Sequence, residues 1–269
     1  MGPVLNKKTI FLSDVHLNEV DTERQQRLVA FLSSINGLER LYILGDLFDF
    51  WFGYKTVVFR YFFPVLCQLY RLYQNGCQII YVLGNHDFNL GPLFEETIPL
   101  RIIESSAEES LYDFNIVVIH GDGLDKRDLG YRFLRFVVRS RPVRFAFQWV
   151  HPDIGWKLAR LLSKGSKHYT GWKNIDRLKA YTDYGFLKVS QGADLCVMAH
   201  SHQPFINKYT FPEREAIVVN IGDWIDHSTF LQLTPEDGPR FFRYHPGSIQ
   251  EISPECFTIN EQGHISDNR

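Results

Sequence analysis

The chain has little of several things that mark common protein classes. It holds four cysteines in 269 residues, Cys67, Cys77, Cys196 and Cys256, and none forms a C-x-x-C pair. So few in so long a chain exclude a disulfide framework and suit free thiols in a reducing cytosol. There is no excess of one charge: 29 Lys and Arg stand against 31 Asp and Glu, for a net charge of -2. That removes any global reason to expect a nucleic-acid partner. No run approaches the ~20 apolar residues of a membrane span. The greasiest stretch, Thr56 to Leu69, is broken by Arg60, Pro64 and Gln68. Met1 to Lys8 lacks an apolar core, so no signal peptide is expected. Repeats and low-complexity tracts are absent too.

What is present is a regular alternation. Thr9 to Leu12, Leu41 to Leu44 and Ile79 to Leu83 are short, wholly apolar runs. Between them lie helix-like segments, Asp21 to Ile35 and Val57 to Tyr73, the second with Pro64 as a candidate kink. Short apolar strands alternating with helices predict an α/β fold with buried strands. Ile116 to Ile119 and Leu195 to Ala199 are further strands, and Ile217 to Asn220, Ser228 to Leu233 and Arg240 to Tyr244 follow, expected to be antiparallel.

Five of these strands stop at a polar cluster: Asp14-x-His16, Gly45-Asp46, Gly84-Asn85-His86-Asp87, His120-Gly121-Asp122 and His200-x-His202. Ligand sites in open α/β sheets sit at the carboxyl ends of strands. Taken singly, a strand-end Asp is a turn or cap residue, and the glycines are turn glycines. Five in sequence point instead to one metal site. In a D-x-H or H-x-H pair, both side chains reach one point once the chain leaves the pleat. Carboxylate, imidazole and amide donors without thiolate suit Mn, Fe, Zn or Co. Seven candidate ligands exceed the four of a structural zinc and match two cations sharing a carboxylate.

The ordered set resembles the calcineurin-like metallophosphoesterase superfamily over roughly Thr9 to Leu233. The resemblance implies a β-sandwich flanked by helices, with a dinuclear centre at one sheet edge. It implies that Asp14, His16 and His202 hold one metal, that Asn85, His120 and His200 hold the other, and that Asp46 bridges them. Mn2+ is the first choice of metal, with Fe, Zn and Co as alternatives. His86 would lie near the scissile phosphate with Asp87 orienting it, both as catalytic residues. Asp122 reads equally well as an outer support for a ligand or as a loop cap. Two cations there would act as Lewis acids for attack of water at phosphorus.

Ser13 to Leu17, Tyr42 to Trp51, Asn85 to Phe88, and His120-Gly121-Asp122 followed by Asp128 and Tyr131 resemble one branch more closely, the UDP-2,3-diacylglucosamine pyrophosphatases. That likeness implies cleavage of a lipid-linked nucleotide sugar to a lipid monophosphate and UMP, in lipid A synthesis. It also implies substrate contacts from Asp128 and Tyr131. The chain has His86 where the best-known members carry Arg, and Ala199-His-Ser-His-Gln-Pro where they carry Gly-His-Thr-His-Arg-Pro.

A segment from about 131 to 173 sets ten Lys and Arg against a single acid, Asp153, and interleaves them with aromatics. A basic amphipathic helical stretch of this kind lies in a membrane interface or forms a lid for an anionic lipid. A structural cap is the plain alternative. The expected organisation is therefore an α/β metallophosphoesterase domain over 1–245 with a helical cap insert, then a loose tail over 246–269. The expected location is cytoplasmic, peripheral on the inner face of the membrane. Rival readings are a phosphoesterase of soluble nucleotides or small esters, a nuclease using the basic insert, and an inactive scaffold that only binds.

Overall fold

A computed structural model describes residues 7–124, 140–157, 174–252, 257–259 and 265–267. Its frame is a pair of facing sheets. The larger one has seven strands: β1 (Lys8–Leu12), β2 (Leu38–Ile43), β4 (Gln78–Val82), β6 (Arg101–Ile103), β12 (Thr229–Thr234), β13 (Gly238–His245) and β14 (Ser248–Glu251). They lie in the order β14-β13-β12-β1-β2-β4-β6. The second has five: β7 (Ser106–Leu111), β8 (Phe114–Ile119), β9 (Leu195–Met198), β10 (Phe205–Phe211) and β11 (Arg214–Asn220), ordered β10-β11-β9-β8-β7. A two-residue strand β3 (Trp51–Phe52) pairs with β5 (Asp87–Asn89) beside the strand ends.

The centre of each sheet is parallel, β1-β2-β4-β6 in one and β8-β9-β11 in the other. The flanks are antiparallel, so the later strands are antiparallel only in part. β11 runs parallel to β9 and antiparallel to β10.

Burial on both faces explains the wholly apolar strands. On the inner face, Phe11, Tyr42, Ile80 and Val82 meet Ile116, Val118, Cys196 and Met198 of the opposite sheet. On the outer face, Ile10, Leu12, Leu41, Ile43 and Ile79 meet two helices. These are α1 (Thr22–Ser34), through Leu28, Phe31 and Leu32, and α2 (Phe63–Gln74), through Val65, Leu66, Leu69 and Leu72. The Asp21 carboxylate caps α1 by accepting from the Arg24 N–H at 2.9 Å. Pro64 does not kink a longer helix. It stands in the first turn of α2, where a missing N–H costs nothing, and 57–59 are not helical. After α3 (Arg141–Phe147) in the insert, α4 (Asn174–Ser190) covers the five-stranded sheet through Leu178, Tyr181 and Val189. Gly185 makes that approach close, since a Cβ there would lie 2.2 Å from Val218.

The stretch expected to be a loose tail over 246–269 holds paired strands, among them β15 (Phe257–Ile259) against β16 (Ile265–Asp267). β14 pairs with β13 through a two-residue turn in which Gly247 takes φ 84°, and Ile252 is buried. Of the insert, 140–157 is described: α3 and a short helix over 152–157. Phe147 and Trp156 pack against an aromatic cluster of Phe50, Phe52, Tyr54 and Phe59. Phe145, Trp149 and Ile154 point to solvent.

Candidate metal centre

All five polar clusters leave their strands at one end of the sandwich, and the chain turns sharply there. Asp14, His16, Asp46, His200 and His202 have φ between 48° and 67°. The left-handed region costs an L-residue about 1–2 kcal/mol, least for Asp, Asn and His. Such outliers gather where a side chain must be aimed. Gly45 (φ 81°) and Gly84 complete the approach. A Cβ on Gly84 would stand 2.1 Å from the Asp46 carboxylate, and one on Gly45 would stand 2.6 Å from His120 Nδ1.

The side chains converge. His16 Nε2 lies 3.7 Å from Asp14 Oδ1 and 3.8 Å from Asp46 Oδ2. His202 Nε2 is 3.5 Å from Asp14 Oδ1, and His120 Nε2 is 3.4 Å from Asp46 Oδ2. His120 Nε2 also faces Asn85 Oδ1 at 3.2 Å and His200 Nδ1 at 3.1 Å. Two groups of donor atoms result, Asp14 with His16 and His202, and Asp14 with Asp46, His120 and His200. His86 joins His16 and Asp46 in a third.

Three buried atoms in this cluster, Asp14 Oδ1, His16 Nε2 and Asp46 Oδ2, have no hydrogen-bond partner. Leaving such groups unpaired costs several kcal/mol in aggregate. All three aim at the same small volume, as expected of atoms that ligate a cation. The donor set therefore fits divalent metal.

The outward-facing atoms are, by contrast, well held. Asp14 Oδ2 accepts from the His200 N–H at 2.9 Å, and Asp46 Oδ1 from the His86 N–H at 2.9 Å. His16 Nδ1 bonds the Asp49 carboxylate at 3.1 Å, and His202 Nδ1 bonds that of Asp223 at 3.1 Å. His120 Nδ1 donates to the Leu44 carbonyl at 2.6 Å. Arg24 donates to the carbonyls of Val15 and His16, fixing the first loop from α1. Partners of this kind fix the ring orientation of a ligating imidazole.

Electrostatics follow the crowding. Burial opposes protonation of His16, but the carboxylates of Asp14, Asp49 and Asp46 outweigh it and carry its pKa up to about 10. His120 behaves alike, with burial overcome chiefly by Asp46, and reaches about 10. Burial and the neighbouring His120 push His200 down to about 4. Burial works against ionisation of Asp14 and Asp46, yet the surrounding imidazoles hold both below the usual carboxylate range.

One expectation needs correction. Asp87 does not orient His86. Its Oδ2 accepts from the N–H groups of Asp46 and Gly84 at 2.9 and 2.8 Å, and its Oδ1 from the Tyr81 hydroxyl at 2.8 Å. A fully buried carboxylate so occupied braces the Asp46 loop. Burial, and then the Asp46 charge, push its pKa up to about 6. His86 is oriented by the Asp49 carbonyl, which accepts from Nδ1 at 2.6 Å, and burial lowers its pKa. Asp122 is buried, and its charge bears on His120 and His200. Asp128 and Tyr131 lie outside the described residues, as does most of the basic insert.

The sequence profile of the calcineurin-like phosphoesterases matches residues 7–204. The chain belongs to that family. Among curated relatives, the UDP-2,3-diacylglucosamine hydrolase of Aeromonas salmonicida is 28% identical, over 84% of this chain and 90% of its own. The enzyme of the same name from Pseudomonas entomophila is 30% identical, over 83% of this chain and 94% of its own. A solved metallophosphoesterase from Sphaerobacter thermophilus is a more distant likeness, 15% identical over 89% of both chains with a TM-score of 0.43.

Proposed function

We propose that this phosphoesterase hydrolyses the pyrophosphate bond of UDP-2,3-diacylglucosamine, releasing UMP and the lipid monophosphate, as a step of lipid A synthesis. The convergence of the unpartnered Asp14 Oδ1, His16 Nε2 and Asp46 Oδ2 carries the chemistry. The substrate comes from relatives that align along most of both chains. Asp14, His16 and His202 would hold one cation, Asn85, His120 and His200 a second, and Asp46 would serve both, with Mn2+ as the preferred metal. Bound divalent cations supply Lewis acidity and charge neutralisation for attack of water at phosphorus.

The protein's own residues do the rest. Asp14 and Asp46 are kept ionised by the imidazoles around them. His86 spends its Nδ1–H on the Asp49 carbonyl, so Nε2 is left for the phosphate. An anionic phosphate alongside favours the imidazolium, which then donates to a phosphoryl oxygen. The leaving group is itself a phosphate and departs as an anion without a proton. His86 therefore acts through charge and not as an obligatory acid. Phe145, Trp149 and Ile154 give the insert an apolar outer surface for a peripheral contact with the inner face of the membrane, where the lipid substrate lies. No helix among the described residues is long and apolar enough to cross a membrane.

Turnover of UDP-2,3-diacylglucosamine with Mn2+, beside bis-p-nitrophenyl phosphate, tests this reading with His120→Ala as control. Lipid turnover that vanishes in the variant, with weak diester turnover, is expected. Fast diester turnover with the lipid untouched would discard the substrate and keep the chemistry.

A further inference from the structure

We infer that Asp223 is the positioning residue of His202 and decides which of its nitrogens is open to a cation. The inference rests on the metal reading above. His202 is the most exposed of three ligating imidazoles, its side chain 35% accessible against 8% for His16 and 1% for His120. It is least held by packing and needs an anchor from elsewhere. That anchor is the segment Gly222-Asp223-Trp224, a sixth strand end, which follows β11.

The segment is tied to the first ligand loop at two points and to α1 at a third. The Ser13 hydroxyl donates to the Gly222 carbonyl at 3.2 Å, and the Trp224 N–H donates to the Asp14 carbonyl at 3.1 Å. Arg27 of α1 donates to the Trp224 carbonyl at 2.9 Å. Asp14 and Asp223 thus move as one frame.

Within that frame the Asp223 carboxylate, 2% exposed, divides its oxygens. Oδ2 faces His202 Nδ1 at 3.1 Å. Oδ1 takes the N–H groups of Asp226 and His227 at 3.0 and 3.1 Å, and His227 Nδ1 at 3.1 Å. A carboxylate only accepts, so both imidazoles carry a proton on Nδ1. That leaves Nε2 as the atom turned to Asp14 Oδ1, 3.5 Å away. The three donors on Oδ1 also stop the carboxylate from rotating away from His202.

Asp223→Asn isolates this role, because shape is kept and one acceptor becomes a donor. Three donors face the Oδ1 position, so the amide oxygen stays there and the NH2 group meets His202 Nδ1. That nitrogen must then accept, and its proton moves to Nε2, the atom aimed at Asp14. Two-bond 1H–15N spectra of the metal-free protein read the tautomer directly. We expect Nδ1–H for wild-type His202 and Nε2–H in the variant. In Mn2+ titrations followed by calorimetry, wild type takes two cations. The variant keeps one at wild-type affinity and loses about 10–100-fold on the other, the usual cost of an outer partner. A wild type without Nδ1–H, an unchanged tautomer in the variant, or equal weakening of both cations would overturn the inference. The wild-type spectrum decides even if the variant does not fold. A wild type that binds no cation would defeat the metal reading, while the spectra would still judge Asp223.

Discussion

The strand-end loops and the insert are built on opposite plans. The loops are polar, buried and turned through left-handed backbone, with their outer atoms bonded to a second ring of residues. The described part of the insert touches the body through aromatic rings, Phe147 and Trp156 against Phe50, Phe52, Tyr54 and Phe59, and leaves other rings in water. Hydrogen bonds fix direction, whereas aromatic packing fixes proximity and tolerates sliding. Chemistry is placed on the part that cannot shift. On the function proposed above, recognition of the lipid falls to the insert.

That contrast is sharpest at Gly84. Gly84→Ala drives a methyl onto the Asp46 carboxylate, 2.1 Å away, inside a loop already braced by Asp87. Turnover is expected to fall by more than the roughly 100-fold that marks a lost outer partner. Stability is expected to drop by about 1–3 kcal/mol through overpacking. Steady-state kinetics and a denaturant melt measure the two. Near-wild-type turnover would show that the loops yield as readily as the insert.

A smaller effect concerns protons. In the metal-free chain the surrounding carboxylates raise the pKa values of His16 and His120 to about 10. Their raised pKa values stabilise the metal-free fold in full below their unfolded pKa near 6.5, and that contribution is lost as pH rises towards 10. Metal must displace these protons. Titrating Mn2+ into weakly buffered metal-free protein near pH 7 should acidify the solution, and affinity should rise about tenfold per pH unit for each proton displaced. Metal uptake without proton release would show that the two imidazoles are already neutral.

The smallest effect is expected on the other side of the comparison. Trp156→Ala removes one ring from the insert's anchorage and leaves every ligand alone. It should raise KM for the lipid substrate severalfold, leave bis-p-nitrophenyl phosphate turnover within about twofold, and lower stability by about 1–3 kcal/mol, less than a fully buried Trp. Equal losses on both substrates would mean that the insert helps to shape the metal loops.

Much of this was legible in the residue order. Strands ending in Asp14, Asp46, Asn85, His120 and His200 announce themselves, because apolar run and ligand are adjacent in the chain. The supports were not legible. Asp49 and Arg24 lie in other elements than the atoms they hold, and a lone polar residue in a loop has no periodicity to betray it. Gly222-Asp223 did repeat the Gly45-Asp46 pattern after an apolar strand and could have been found that way. Asp87 misled for the same reason of proximity: standing next to His86 in sequence, it turns the other way, to Tyr81 and two backbone N–H groups. β7 and β10 carry no such signal, since edge strands with a polar face lack a continuous apolar run.

The left-handed angles at Asp14, His16, Asp46, His200 and His202 carry a last consequence. On the metal reading proposed above, two separate demands fall on each of these positions: a side chain that donates electrons to a cation, and a backbone that tolerates positive φ. Aspartate and histidine satisfy both, and asparagine would too. Glutamate could ligate but is poorly suited to the turn, and glycine could turn but not ligate. The alphabet open to substitution at these sites is thus narrowed twice over. A library randomised at those positions should return glycine as well when selected for folding geometry, and almost only those three letters when selected for metal retention.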